Sequence, residues 1–334
     1  SFTLADGTYA SGAVQVRQTD LAGNVSATTS SNSSSWTIDT SAPSTPALAL
    51  AADTGSSNTD NITSNTSVNV TGVDTDATWQ YSTDSGSTWS ASQTAATTSF
   101  TLADGTYATG AVQVRQTDTA GNVSTVASST SSWTIDTTLP SAPSLALTAD
   151  TGSSNTDGLT NNTGVTVSGV EAGATWQYST DSGSTWSASQ AAATSSFSLT
   201  DGTYASGAVQ LRQTDAAGNV STVASSTSSW TIDSTIPTVS SVAITSASGA
   251  QNNTLNAGDV VTATVTMSEA VTVTTTGGTP YLNLNIGGTT VQASYASGSG
   301  TTALTFTYTI LSGQTDASGI SVDANSLNLN SGTI

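Results

Sequence analysis

The side chains able to do chemistry in this chain are almost all carboxylates. Among 334 residues there are 22 Asp and Glu, three Arg, and no Lys, His or Cys. Without His or Cys there is no Ser-His or Cys-His nucleophile pair, no thiolate redox centre and no zinc site of the nitrogen and sulfur type. Metal binding falls to oxygen ligands, which suit the hard cations Ca²⁺ and Mg²⁺. The acids recur in fixed places: Asp6, Asp104 and Asp201; Asp20, Asp118 and Asp215; Asp39, Asp136 and Asp233; Asp53 and Asp150; Asp60 and Asp157; Asp84 and Asp181. Duplication would copy such positions regardless of need, so their use depends on the elements that carry them.

Those elements repeat. "SSWTIDT" at Trp133 recurs at Trp36 and, as "SSWTIDS", at Trp230, each 97 residues from the next. "FTLADGTYA", "VQVRQTD" and "AGNVS" return in the same order in the second copy and, as "FSLTDGTYA", "VQLRQTD" and "AGNVS", in the third. The layout read from this is the end of one domain (1–39), two complete copies (40–136 and 137–233) and a divergent fourth segment (234–334). A unit of this size can build its own core. Within a copy the apolar period is two: Leu48 and Leu50, Val68 and Val70, Trp79 and Tyr81, Phe100 and Leu102, Val112 and Val114, Trp133 and Ile135. Half-buried strands separated by Gly, Asn, Asp, Ser and Pro clusters predict an all-β fold of tandem Ig-like β-sandwich domains in an extended rod. Trp79 and Trp176 read as core residues of the third strand, and Tyr107 as a tyrosine that ties a corner back to the backbone. The fourth segment alternates as well but shares none of the repeat's words. It reads as a divergent Ig-like β-sandwich, C-terminally incomplete, and the opening "SFTLADGTYA" reads as the middle of a pattern.

The stretch "STDSGSTW" at Ser82 and Ser179 resembles the Asp-box of sialidases and related propeller proteins. Physically it is a hairpin turn, with the Asp accepting backbone N–H groups and Gly at positive φ. A sialidase would need converging arginines, whereas Arg17, Arg115 and Arg212 fall one per copy at the same strand position. Glu171 and Glu269 are the only glutamates and have no repeated partner. No catalytic site is expected, so Asp84 and Asp181 read as turn formers and Arg115 as the donor of a cross-strand hydrogen bond or cation-π contact.

The sandwich topology gives the remaining acids a purpose. In an Ig-like sandwich the loop between the first two strands lies at the pole opposite the loop between the last two. Stacked end to end, the domains would bring Asp53 and Asp60 toward Asp136 and toward Asp215 of the next copy. Three or four carboxylates about 5 Å apart repel by about 3 kcal/mol per pair at an effective dielectric near 20. Such a junction calls for a cation, and Ca²⁺ accepts six to eight oxygens from carboxylates, Asn219, carbonyls and water. At the next junction the set is Asp150, Asp157 and Asp233, with Glu269 expected in the loop after the second strand of the fourth segment. At the first junction it is Asp39 and Asp118.

A net charge of -19 argues against nucleic acid and anionic membrane as partners. There is no apolar run long enough to span a bilayer, and without lysine no Lys-Asn isopeptide can form. Asn24 and Asn122 head sequons of the kind expected by chance in a chain rich in Ser and Thr.

"DTTLPSAPSLALTADTGSSNTDGLT", "WQYSTDSGSTW" and "GAVQVRQTDTAGNVS" resemble the tandem bacterial Ig-like repeats of giant surface adhesins exported by type I secretion, the RTX-adhesin-like proteins. In the fourth segment "SEAVTV", "LNLNIGG" and "ASYASGSGTTALTFTY" are similar to another domain type of those proteins. The resemblance implies an extracellular, cell-surface location, calcium at domain junctions and a structural spacer role in adhesion or biofilm. The chain lacks the Gly-Gly-x-Gly-x-Asp nonapeptides of the secretion signal and the "DxNDN" linkers of cadherins. The partners expected are neighbouring repeats of the same chain, with self-association or surface and matrix glycans as others. The alternatives are a self-assembling fibre or sheath subunit, and a carbohydrate-binding module using Trp89 and Trp186.

Overall fold

The computed structural model describes residues 1–30, 32–152, 154–252 and 254–334, and all its regular structure is β-strand. The chain divides into two compact units, Ser1–Asp233 and Ser234–Ile334.

In the repeat 40–136 the alternating sequence becomes ten short strands. They are β1 (Ala47–Leu50), β2 (Ile62–Thr63), β3 (Ser67–Thr71), β4 (Thr78–Ser82) and β5 (Gln93–Thr94), then β6 (Ser99–Thr101), β7 (Gly105–Tyr107), β8 (Gln113–Thr117), β9 (Ala127–Ser128) and β10 (Trp133–Ile135). They pair in the orders β1-β3-β6, β7-β10-β2 and β9-β8-β4-β5, and residues 137–233 repeat all three sheets. Inward residues of the sheets meet in one core of Val68, Val70, Trp79, Phe100, Leu102, Val112, Val114, Trp133 and Ile135. The alternation in sequence is thus the two faces of each strand, one packed and one wet.

Trp79 is completely buried and its indole N–H donates to the carbonyl of Thr97 at 2.9 Å, so the ring is sequestered without leaving its polar edge unpaired. Tyr81 stacks on Phe100 with centroids 4.1 Å apart. The corner tyrosine is present in each copy: the hydroxyls of Tyr9, Tyr107 and Tyr204 donate to the carbonyls of Ala5, Ala103 and Thr200.

All pairings in the repeat are antiparallel except one. The two-residue strand β2 runs parallel to the last strand β10, with Thr134 opposite Ile62 and Ile135 opposite Thr63. The next copy has the same parallel pair, Leu159–Thr160 with Trp230–Ile232.

The unit 234–334 has longer strands: β11 (Val239–Ser248), β12 (Val260–Val271), β13 (Tyr281–Ile286), β14 (Thr289–Ser297), β15 (Thr301–Thr309) and β16 (Ser321–Asn328). They form one antiparallel sheet, ordered β11-β12-β15-β14-β13-β16, around a core that includes Val261, Ala263, Val265, Leu282, Leu284, Leu304 and Phe306. The β13–β14 hairpin turns on Gly287 and Gly288, both at positive φ, as a two-residue turn matched to strand twist requires. One expectation is corrected here. Glu269 lies inside β12 rather than in a loop after it, because the β12 pattern continues through a register shift between Thr266 and Val271.

Candidate functional site

The repeated aspartates divide by what their carboxylates hold. Asp84 accepts the amide and the hydroxyl of Thr88 and the hydroxyl of Ser82, closing the hairpin after β4 around Ser85 and Gly86, both at positive φ. The Thr88 hydroxyl above all holds its carboxyl down at about 2, and Thr185 does the same for Asp181. The Asp-box is therefore a self-satisfied turn. Its tryptophan is half-buried with a guanidinium over the ring: Arg115 lies 3.9 Å from the centre of Trp89 and Arg212 lies 4.1 Å from that of Trp186. Arg115 also donates through Nε and Nη2 to Gln80 Oε1, its neighbour across the β4–β8 ladder. One face of each ring that a sugar would stack on is thus occupied by a residue of the same repeat.

A second set grips the linker. Asp6 accepts the Thr40 hydroxyl and Asp104 the Thr137 hydroxyl, each at 2.9 Å. From the other side Asn122 Nδ2 donates to the carbonyl of Asp39 at 3.0 Å, and Asn219 Nδ2 to that of Asp136 at 2.8 Å. Residues 136–137 are therefore held by the repeat before them and by the repeat after them. The signal for this was in "IDT", "IDT" and "IDS", a hydroxyl after each linker Asp, and sequence reasoning passed over it.

The third set lies at the junction between the two full repeats. The β1–β2 loop of residues 40–136 rests on the loop Asp215–Asn219 of the next repeat. Thr54 Oγ1 donates to the carbonyl of Ala217 at 2.6 Å, and the amide of Ser64 donates to the same oxygen at 3.1 Å. Gly55 faces Ala216 so closely that a Cβ would run into its carbonyl, and Gly55 sits at φ +101°, where glycine is at home. Asp215 and Asn219 are each only 9% exposed, whereas Asp118 and Asn122 are half-buried and Asp20 and Asn24 exposed. Within the loop Asp215 accepts the amide and the side-chain amide of Asn219 at 2.8 Å. In the half-buried copy the hydrogen bond from the Asn122 side chain holds the Asp118 carboxyl below its ordinary range.

The expected cluster of three or four carboxylates is not assembled. Among the described residues no three Asp or Glu side chains converge as a metal-holding group. The reason is local. Asp60 turns back to the amide of Ile62, Asp157 to that of Leu159, Asp136 to that of Thr138 and Asp39 to that of Ser41. Each caps its own turn two residues on, as Asx side chains do. Asp233 follows the last strand of its repeat, its amide bonded to the carbonyl of Thr160.

Asp53 and Asp150 differ from these. Oδ2 of Asp53 accepts the amide of Asn61, and Oδ2 of Asp150 that of Gly158, both at 2.9 Å. Among the described residues Oδ1 of each is buried without a hydrogen-bond partner, as is Oε1 of Glu269. A buried carboxylate oxygen left unpaired costs about 1–3 kcal/mol or more. Three residues expected to ligate a cation thus each carry an oxygen that one would satisfy, and the oxygen-only donor set suits Ca²⁺.

Sequence reasoning also missed Gln116 and Gln213, which are completely buried. Gln116 Oε1 accepts the amide of Asp74, while its Nε2 donates to the carbonyls of Ser44 and Gly72. This ties the chain just after the linker to β8. Its signal is a polar residue at the third inward position after Val112 and Val114.

The family model described as "Bacterial Ig-like domain" matches twice, over residues 39–137 and 138–234. Tandem domains of this kind are commonly extracellular structural or adhesin-like modules. No curated protein matches the chain. Among solved structures the FN1–FN3 domains of chicken CNTN1 align over 83% of this chain and 95% of theirs, at 12% identity and a TM-score of 0.20, too low to bear on the fold. Among the described residues no helix is long and apolar enough to cross a membrane. With two matched domains covering more than half of its length, the chain belongs to the bacterial Ig-like domain family.

Proposed function

We propose that this chain is a spacer segment of an extracellular bacterial adhesin or biofilm protein, and that calcium stiffens its domain junctions. The observation that carries the reading is the repeated buried oxygen: Asp53 Oδ1 and Asp150 Oδ1 stand unpaired at the same place in both full repeats. For Asp53 that place is the loop in contact with the following repeat. Asp53 and Asp150 would supply the charged ligand, with Asp60 and Asp157 of the same loops and nearby carbonyls completing the shell. Bound there, Ca²⁺ would neutralise the buried carboxylate and hold the loop in the shape that docks on Ala217.

A spacer role also agrees with what the residues leave out. The Asp-box carboxylates are consumed by their own turns, and the composition offers no nucleophile activated by His or Cys. The partners proposed are the neighbouring repeats of the same chain. A net charge of -19 disfavours nucleic acid and anionic membrane.

Calorimetric titration of the chain with Ca²⁺ tests the site. Asp53→Ala and Asp150→Ala should each remove a fraction of the binding heat, while Asp84→Ala leaves it unchanged. Equal heats in all four proteins would remove calcium from these loops.

A further inference from the structure

Arg17, Arg115 and Arg212 are the only side-chain cations in a chain with 22 carboxylates. Charges in that ratio would be expected to pair, yet neither Arg115 nor Arg212 forms an ion pair among the described residues. Each is instead held by uncharged neighbours of its own repeat. Trp89 lies against the Arg115 guanidinium at 3.9 Å, and Trp186 against that of Arg212 at 4.1 Å. Gln80 Oε1 accepts from Nε and Nη2 of Arg115 at 3.3 and 3.0 Å, and Gln177 Oε1 from those of Arg212 at 3.2 and 2.9 Å. The glutamines are fixed in turn. Gln80 Nε2 donates to the carbonyl of Ser90 at 2.7 Å, and Gln177 Nε2 to that of Ser187 at 2.8 Å.

These contacts use one face and one edge of each guanidinium. A guanidinium carries five N–H donors in a planar fork. The glutamine takes the Nε–Nη2 edge, which leaves the Nη1–Nη2 edge without a hydrogen-bond partner among the described residues. The two parallel N–H groups of that edge match the two oxygens of a carboxylate. Since tryptophan and glutamine already hold the side chain in place, little rotamer freedom is lost when a ligand arrives. We propose that Arg115 and Arg212 each bind the carboxylate of an acidic sugar, a uronic acid unit carried at intervals on an otherwise neutral polysaccharide.

Charge and setting select that class. A net charge of -19 repels a polyanion, and a phosphate monoester brings about two charges where a carboxylate brings one. Acids farther away than about 8 Å are largely screened at physiological salt, so a lone carboxylate meets mainly the local cation. The half-buried indole beside each fork offers apolar surface to the C–H groups of a sugar ring. One site at the same place in successive repeats suits a polymer, because weak sites on one ligand reinforce each other. Arg17 is exposed and has no such tryptophan among the described residues.

The inference rests on the extracellular reading only for the source of the sugar. The full chain, isotopically labelled in nitrogen, would be titrated in calcium-free buffer with methyl glucuronide while the indole N–H signals of Trp89 and Trp186 are followed by NMR. Methyl glucoside supplies the sugar without the charge, and acetate the charge without the sugar. We expect saturable shifts of both signals with the glucuronide and little change with either control. Arg115→Gln should abolish the response of Trp89 and spare that of Trp186, and Arg212→Gln should do the reverse. The spared site shows that each variant still folds. No response to the glucuronide, or one that survives both substitutions, would overturn the site. An equal response to acetate would overturn the sugar as its ligand. None of these results involves calcium, so the titration above stands or falls separately.

Discussion

Asp84 and Asp181 make the point at the scale of single residues: carboxylates that look catalytic in a motif are spent on their own backbone. Their carboxyls sit at about 2 against an ordinary 3.8, so the folded state favours the charged form. A depressed folded value stabilises the protein above the unfolded one, and this contribution fades as pH falls from about 4 through about 2. Carbon-detected NMR should find both carboxyls titrating near 2; midpoints at 3.8 would mean that the turn does not form as described. Gln116 gives a sharper stability prediction. Replacing it with Ala leaves the amide of Asp74 and the carbonyls of Ser44 and Gly72 without their partner. We expect a loss of about 2–4 kcal/mol in urea unfolding. A change within about 0.5 kcal/mol, as at an ordinary surface site, would show the strap to be dispensable. The roles of Asp84, Arg115, Trp79 and Tyr107 were legible because each depends on residues within its own hairpin, ladder or core face. Gln116 was not, because its partners at Ser44 and Gly72 are distant in sequence and are brought to it by the sandwich.

At the scale of elements, the period-two alternation marked most of the strands of the core, and the fixed repeat placed them in each copy. The parallel β2–β10 pair escaped, since β2 is two residues long and carries no alternation to read. Glu269 was misplaced for the opposite reason, as the β12 pattern runs on past the point where a loop was expected. The junction was legible in outline only. Its loops were identified, but the acids were expected to face one another, and Asp60 and Asp136 instead cap their own turns. What meets across the boundary is a hydroxyl, an amide and a carbonyl: Thr54, Ser64 and Ala217. Thr54→Val keeps the shape and removes the hydroxyl that donates to Ala217 and accepts from Ser64. The variant should lose about 1 kcal/mol in equilibrium unfolding, with faster amide exchange at Ser64. Unchanged exchange there would mean that this contact does not order the loop.

For the whole molecule, stiffness is the property that a spacer must have. A spacer works only if successive domains keep their direction. Under the proposal, a cation on the buried oxygen of Asp53 would tie that direction to calcium, and the linker grips of Asp104 and Asn219 would support it from both sides. Small-angle X-ray scattering of the chain in millimolar Ca²⁺, in chelator, and in Mg²⁺ as control tests this most directly. A long, stiff particle is expected in Ca²⁺, becoming shorter on average and flexible when Ca²⁺ is removed, with a smaller change in Asp53→Asn. A scattering profile that is the same in all three solutions would contradict it, leaving the repeated aspartates as turn caps alone.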